Sequence, residues 1–278
     1  MSYRIGWFST GRDEAARELL TTVYNAVQDG TISGEIAFVF CNRERGEGEE
    51  SDQFMDLVDQ YGIPLVCFSF RRYKPEKRRQ GRRDPEIMKA WRIEYDREVM
   101  KRLDSMRADL NVLAGYMLIT GEEICRRYTI INLHPAEPGG PKGTWQEVIW
   151  QLIEARAERT GVVMHLVTEV LDEGPPITYC TFPIWGGGFD ALWKDMERKL
   201  QSKSLAQIEQ EEGEAEPLFA EIRRRGVIRE FPLIVRTIKA FADGRIVLRD
   251  RRVIADGAPL RGAYDLTEEI DRIVGARS

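Results

Sequence analysis

Five short apolar runs are threaded through the first half of this 278-residue chain: "YRIGWF" (3–8), "EIAFVF" (35–40), "IPLVCF" (63–68), "LNVLAG" (110–115) and "TIINL" (129–133). Each is almost continuously hydrophobic, which is the pattern of a strand covered on both faces. Amphipathic segments lie between them at 13–28, 51–61, 86–105 and 119–126. Strand and helix alternating at this spacing predict βαβ units, hence an α/β fold with a doubly wound, mostly parallel sheet. Residues 144–158 read as a further helix capped by Thr144, and 161–184 as two strands joined by an acidic turn. From Gly186 the character changes: "FDALWKDMERKLQ" and 203–242 are helical, and 244–257 suggests a hairpin. The expectation is a single domain over 1–278. Residues 1–185 form the α/β core with the active site, and 186–278 a mainly helical extension that ends in a β-hairpin.

A chain of this length can bury a substantial core. Its net charge of −5 argues against a dedicated nucleic-acid binder. No apolar stretch reaches the ~18–20 residues of a membrane span. The opening "MSYRIGWFST" lacks the charged-then-apolar layout of a signal peptide and reads directly into a strand. These features predict a cytoplasmic protein with no membrane partner. Cys41, Cys67, Cys125 and Cys180 are scattered, without CxxC or metal-ligand spacing. They read as small buried hydrophobes, and no metal is expected.

Only two histidines occur in the chain. His134 stands two residues after Asn132 in "IINLHPAEPGGPKGTW", where a strand ends and a Pro/Gly loop begins. In open α/β sheets ligands bind at the carboxyl ends of strands, so both side chains should emerge at that rim. An asparagine there can donate to a developing oxyanion, and a histidine can move a proton near neutral pH. The plainer alternative is that Asn132 caps a turn and His134 satisfies a backbone carbonyl. Asp172, in "HLVTEVLDEGPP", is either a turn former or a carboxylate that orients an imidazole or collects an amine proton. His165, flanked by Met164 and Leu166, reads as structural.

"LAGYMLI…INLHP…KG…TGVVMHLVTEVLDEGPPI" resembles the phosphoribosylglycinamide formyltransferase family, folate-dependent enzymes of purine synthesis with a Rossmann-like formyltransferase fold. The family signature is Asn-x-His with a downstream Asp, matched by Asn132, His134 and Asp172. "YRIGWFSTGRDEAARELL" resembles the family's first strand and phosphate loop, and "REFPLIVRTIKAFADGRIVL" its closing helix and hairpin. The resemblance spans nearly the whole chain except 43–50, 71–85 and about 186–226. It implies formyl transfer from 10-formyltetrahydrofolate, as cosubstrate, to the amine of glycinamide ribonucleotide. Asn132 and His134 would stabilise the formyl oxygen, and Asp172 would help remove the amine proton. Tyr116, Met117, Leu118, Val167 and Asp172 would wall the folate pocket. Thr10, Gly11, Arg12 and Arg92 would hold the substrate phosphate. Partners would be these small molecules, with a homodimer left open.

The chain departs from the family in two loops. "STGRDEAA" stands where the family has Ser-Gly-x-Gly-Ser-Asn, and "PAEPGGPKG" where it has Pro-Ser-Leu-Leu-Pro before Lys-Gly. Both loops face substrate in the family, so the acceptor could differ: another amine, or water in a 10-formyltetrahydrofolate hydrolase. A non-catalytic folate- or nucleotide-binding protein is the third reading, which retention of all three signature residues disfavours. The run "RRYKPEKRRQGRR" (71–83) has eight basic residues and one acid. It reads first as a solvated loop. The functional alternatives are a lid over a phosphorylated substrate or polyglutamate tail, or a nucleic-acid contact.

Overall fold

A computed structural model describes residues 2–170, 174–255 and 257–275. The chain divides into two compact units, one of 1–132, 165–175 and 238–247, the other of 133–164, 176–237 and 248–278.

The first unit opens with β1 (Tyr3–Ser9), α1 (Glu14–Gln28), β2 (Gly34–Cys41), α2 (Glu49–Gln60) and β3 (Leu65–Cys67). α3 (Pro75–Gly81), α4 (Pro85–Arg102), β4 (Leu110–Leu113), α5 (Glu122–Arg127) and β5 (Ile130–His134) follow. The strands run parallel in the order β5-β4-β1-β2-β3. This is the α/β, mostly parallel arrangement that the apolar runs predict. Side-chain alternation turns Phe8, Phe38, Phe40 and Leu113 toward α4, where they bury Trp91, Tyr95, Val99 and Met100.

α4 begins on a strong stop signal: Asp84 caps it by accepting from the Glu86 and Ile87 amides, and Pro85 occupies the first turn. Its buried face then fastens the chain after β3. The Trp91 indole donates to the Tyr73 carbonyl at 3.0 Å, and the Tyr95 hydroxyl to the Phe68 carbonyl at 2.6 Å. The basic run is therefore not a loop throughout, although most of its residues remain solvated as its composition suggests. Pro75–Gly81 forms a helix, Lys74 and Lys77 both pair with Glu94, and Gly81 is buried against the Met88 backbone.

The second unit contains α6 (Trp145–Glu154), β6 (Arg159–Leu166) and β7 (Pro176–Pro183). Ile184 N–H donates to the Glu158 carbonyl, as in an antiparallel pair. α7 (Phe189–Leu200), α8 (Leu205–Glu212) and α9 (Pro217–Ala242) follow; the last five residues of α9, the C-terminal two of β6 and the first two of the strand 246–249 lie in the first unit, and the last two of β5 lie in the second. β8 (Ile246–Arg249) and β9 (Arg252–Ala255) are joined by a two-residue turn, Asp250–Arg251, with φ 50° and 61°. β10 (Ala258–Pro259), β11 (Tyr264–Asp265) and α10 (Thr267–Gly275) close the chain; β11 pairs parallel with β7. The apolar core of this unit gathers Val148, Trp150, Phe182, Trp193, Phe219 and Ile222. Among the described residues no helix is long and apolar enough to cross a membrane.

Candidate active site

The parallel register ends β1, β2, β4 and β5 on one rim. Ser9 pairs with Cys41, Phe8 with Leu113, and Leu113 with Asn132. Val167 N–H donates to the Ile130 carbonyl at 2.8 Å, which draws the segment after β6 alongside β5. A cleft results, walled by Leu113, Tyr116, Leu118 and Val167, with Asn132 and His165 as polar members. Tyr116 is fixed edge-on to Phe8 at 6.0 Å between ring centroids, and burial holds its phenol well above the ordinary value. Met117, expected with these residues, has an exposed side chain. A cleft with apolar walls that also carries a carboxamide, an imidazole and the hydroxyls of Thr120 and Thr168 suits an apolar ring that bears polar substituents.

His165 is more than core filling. Its Nδ1 lies 3.2 Å from the Leu166 carbonyl, and a carbonyl can only accept, so the proton resides on Nδ1. Nε2 is then an acceptor for the Asn132 amide, 3.4 Å away. Of the two Nδ2 hydrogens of Asn132, one is directed at His165. The sequence offered one signal for this: His165 and Asn132 sit at equivalent ends of strands that pattern alone could not show to be neighbours.

His134 is buried, and its Nε2–H donates to the Pro141 carbonyl at 2.9 Å. The Pro/Gly loop is built for that contact. Glu137–Gly140 is a tight turn closed by Gly140 N–H to the Glu137 carbonyl at 2.8 Å, with Pro138 second and Gly139 third at φ 79°. That φ is a type II geometry which glycine adopts freely. Thr144 then caps α6 in a reciprocal box with Glu147. Asn132 and His134, two residues apart on β5, point to the same face. Asp172 lies outside the described residues.

The loop after β1 is largely self-satisfied. Thr10 N–H donates to the Gly115 carbonyl, Gly11 N–H to Ser9 Oγ, and Thr10 Oγ1 accepts from Met117 N–H at 2.8 Å. Gly11 has φ 59°, and a Cβ there would sit 2.7 Å from the Phe54 ring. Asp13, whose charge looked adverse beside a phosphate, caps α1 through Ala16 N–H and pairs with Arg12 at 3.0 Å. Arg12 is the exposed cation of this loop. Arg92 lies elsewhere, on α4, where its charge acts on the buried Asp96.

The formyl transferase family matches residues 14–202. The phosphoribosylglycinamide formyltransferase of Schizosaccharomyces pombe is 31% identical over 176 residues, 59% of this chain and 77% of that protein. The Escherichia coli enzyme of the same name is 28% identical over 246 residues, 87% of this chain and 90% of its own. The solved phosphoribosylglycinamide formyltransferase of Coxiella burnetii superposes with a TM-score of 0.64 at 21% identity, covering 95% of this chain and 100% of that one, which shows a common fold. The chain belongs to the formyl transferase family and, within it, to the phosphoribosylglycinamide formyltransferases.

Proposed function

We propose that this protein moves the formyl group of 10-formyltetrahydrofolate onto the amine of glycinamide ribonucleotide, as a cytoplasmic step of purine synthesis. The observation that carries the reading is the apolar cleft of Leu113, Tyr116, Leu118 and Val167 ending on Asn132, with His134 two residues on. The amine nitrogen attacks the formyl carbon, a C–N bond forms, and the bond to the folate nitrogen breaks. Charge gathers meanwhile on the formyl oxygen. Asn132 offers that oxygen the N–H not directed at His165, so His165 acts as a positioning residue that sets the amide's orientation. His134, whose Nε2–H is held by the Pro141 carbonyl, lends the oxygen a proton from Nδ1 and takes it back as the intermediate collapses to the new formamide. Asp172 takes the proton leaving the amine, and the folate nitrogen regains one on departure. Tyr116, Leu118 and Val167 hold the folate ring, and Met117 covers it from the exposed side. Thr10 and Gly11 shape the turn that presents Arg12 to the substrate phosphate.

The test follows tetrahydrofolate release from 10-formyltetrahydrofolate by absorbance, with and without glycinamide ribonucleotide. Release should require the ribonucleotide, and Asn132→Ala should lower kcat by roughly 10²–10³-fold with the protein still folded. Release without any acceptor would identify a hydrolase, and no release at all a binding protein. Near-normal turnover of the Asn132 variant would remove Asn132 from the mechanism.

A further inference from the structure

One wall of the cleft is irregular backbone, so no strand or helix ladder sets its position. Residues 114–121, between β4 and α5, supply Tyr116, Leu118, Ile119 and Thr120 to the cleft. The segment is fastened first to the loop after β1. Thr10 N–H donates to the Gly115 carbonyl at 3.1 Å, and Thr10 Oγ1 accepts from Met117 N–H at 2.8 Å. Among the described residues, the amides of Leu118, Ile119 and Thr120 then take no partner within the chain. The Thr120 hydroxyl has only a thiol contact, 3.2 Å from Cys125 Sγ. The next backbone anchor is Gly121 N–H, which donates to Asp96 Oδ2 at 2.6 Å.

Asp96 reaches that amide from α4, whose Trp91, Tyr95 and Val99 share one apolar cluster with Tyr116, Ile124 and Val167. The seat is tight: a Cβ on Gly121 would lie 2.8 Å from Asp96 Oδ2, so the carboxyl rests directly on the backbone. Asp96 is 3% exposed. The charged groups acting on it are Arg92 on its own helix and Glu123 on α5. Arg97 holds Glu123 in turn through hydrogen bonds of 2.8 and 2.6 Å. Asp96 acts on the buried Tyr116 phenol as well, so it bears on the wall at two points. A carboxyl is a costly way to fill so dry a place, unless the hydrogen bond it accepts has a use.

We propose that Asp96 is a positioning residue for the folate cosubstrate: by holding Gly121 from behind, it fixes Leu118, Ile119 and Thr120 against the ring that enters the cleft. Asp96 itself lines no part of the cleft and acts only through the wall. The inference rests on the formyl-transfer reading for the identity of that ring. The wall meets the folate equally before and during transfer of the formyl group, so its loss belongs in KM and not in kcat.

The test uses the full-length protein and the variants Asp96→Ala, Asp96→Asn and Gly121→Ala, each checked for folding by its thermal melt. Asp96→Ala removes the acceptor, and Asp96→Asn returns a neutral oxygen to the same place. Gly121→Ala leaves Asp96 intact but pushes the wall off it, and φ −84° at that position suits alanine. If Asp96→Ala does not fold, the other two variants carry the test. KM for 10-formyltetrahydrofolate should rise roughly 5–30-fold in Asp96→Ala and Gly121→Ala, with kcat within about threefold and the ribonucleotide KM unmoved. Asp96→Asn should stay within about threefold of the wild type in all three constants. An unchanged folate KM in the folded alanine variants would overturn the proposal and leave the formyl-transfer reading intact. So would a loss spread equally over both KM values and kcat, or a folate KM that Asp96→Asn does not recover. If the wild type does not formylate the ribonucleotide, calorimetric titration with 5-formyltetrahydrofolate decides the role of Asp96 alone. Binding weakened in the alanine variants and kept in Asp96→Asn supports it; equal binding in all the proteins, or none in the wild type, overturns it.

Discussion

At the scale of single residues, neighbours decide what a side chain can do. His165 has the sequence context of a core histidine, flanked by Met164 and Leu166, yet one ring nitrogen is taken by its own strand and the other faces Asn132. Asp96 shows the same dependence on surroundings. It lies on α4, buried to 3% exposure, and accepts from Gly121 N–H at 2.6 Å. Burial, with a smaller push from Glu123, raises its pKa to about 7, although the Gly121 hydrogen bond and Arg92 pull the other way. The folded chain thus keeps this proton up to about pH 7, whereas the unfolded chain releases it near the usual carboxylate value of about 4. Between those limits the folded state binds more protons, so rising pH works against folding. Across that window Asp96 should cost on the order of 2–4 kcal/mol. Urea unfolding at pH 5 and pH 8 measures this. Asp96→Asn, which keeps an oxygen for Gly121 N–H, should be more stable than the wild type at pH 8 and by a clearly smaller margin at pH 5. The reverse order would mean that Asp96 is held ionised.

At the scale of elements, composition and position disagree most sharply in the basic run. Eight cations in thirteen residues favour a solvated loop, because like charges repel and water screens them. Attachment to α4 makes part of the run a helix nonetheless: the Trp91 indole holds Tyr73, Glu94 pairs with Lys74 and Lys77, and Arg78 lies over the Trp91 ring at 5.7 Å. The close approach of α3 to α4 depends on Gly81, where a Cβ would meet the Met88 Cα at 2.8 Å and its nitrogen at 2.9 Å. Backbone cannot step aside as the tip of a side chain can. Gly81→Ala should therefore destabilise the protein by about 1–3 kcal/mol, read as a lower urea midpoint with little change in slope. A midpoint equal to that of the wild type would mean that the two helices are not so closely seated.

At the scale of the whole molecule, the cysteines report how completely the chain is packed. Cys41, Cys125 and Cys180 are buried and Cys67 is half-buried. Burial pushes the Cys41 and Cys180 thiols up to about 12 and Cys67 to about 11. Because the thiolate is the reactive form, all three should resist a thiol reagent at pH 8 in the native protein. An Ellman titration should count few thiols before denaturant and four after it. Fast native labelling of more than one would contradict this packing.

The amino-acid sequence by itself determined the class of the fold and the alternation of strands and helices in its first half, but not the helix α3 inside the basic run, nor β10, β11 and α10 after the hairpin expected to end the chain. Continuous apolar runs such as "EIAFVF" cannot face water on either side, and the helical periodicity between them admits one economical arrangement. It also marked Asn132 and His134 as a pair, because two residues apart on a strand means one shared face. What it could not decide were relations between segments distant along the chain. These include His165 beside Asn132, Pro141 folded back onto His134, and Arg43, Arg71 and Arg78 gathered on Phe70. Periodicity is a local property of the backbone, whereas these contacts arise only when the ends of separate strands are brought to one rim. Tertiary packing alone sets those distances.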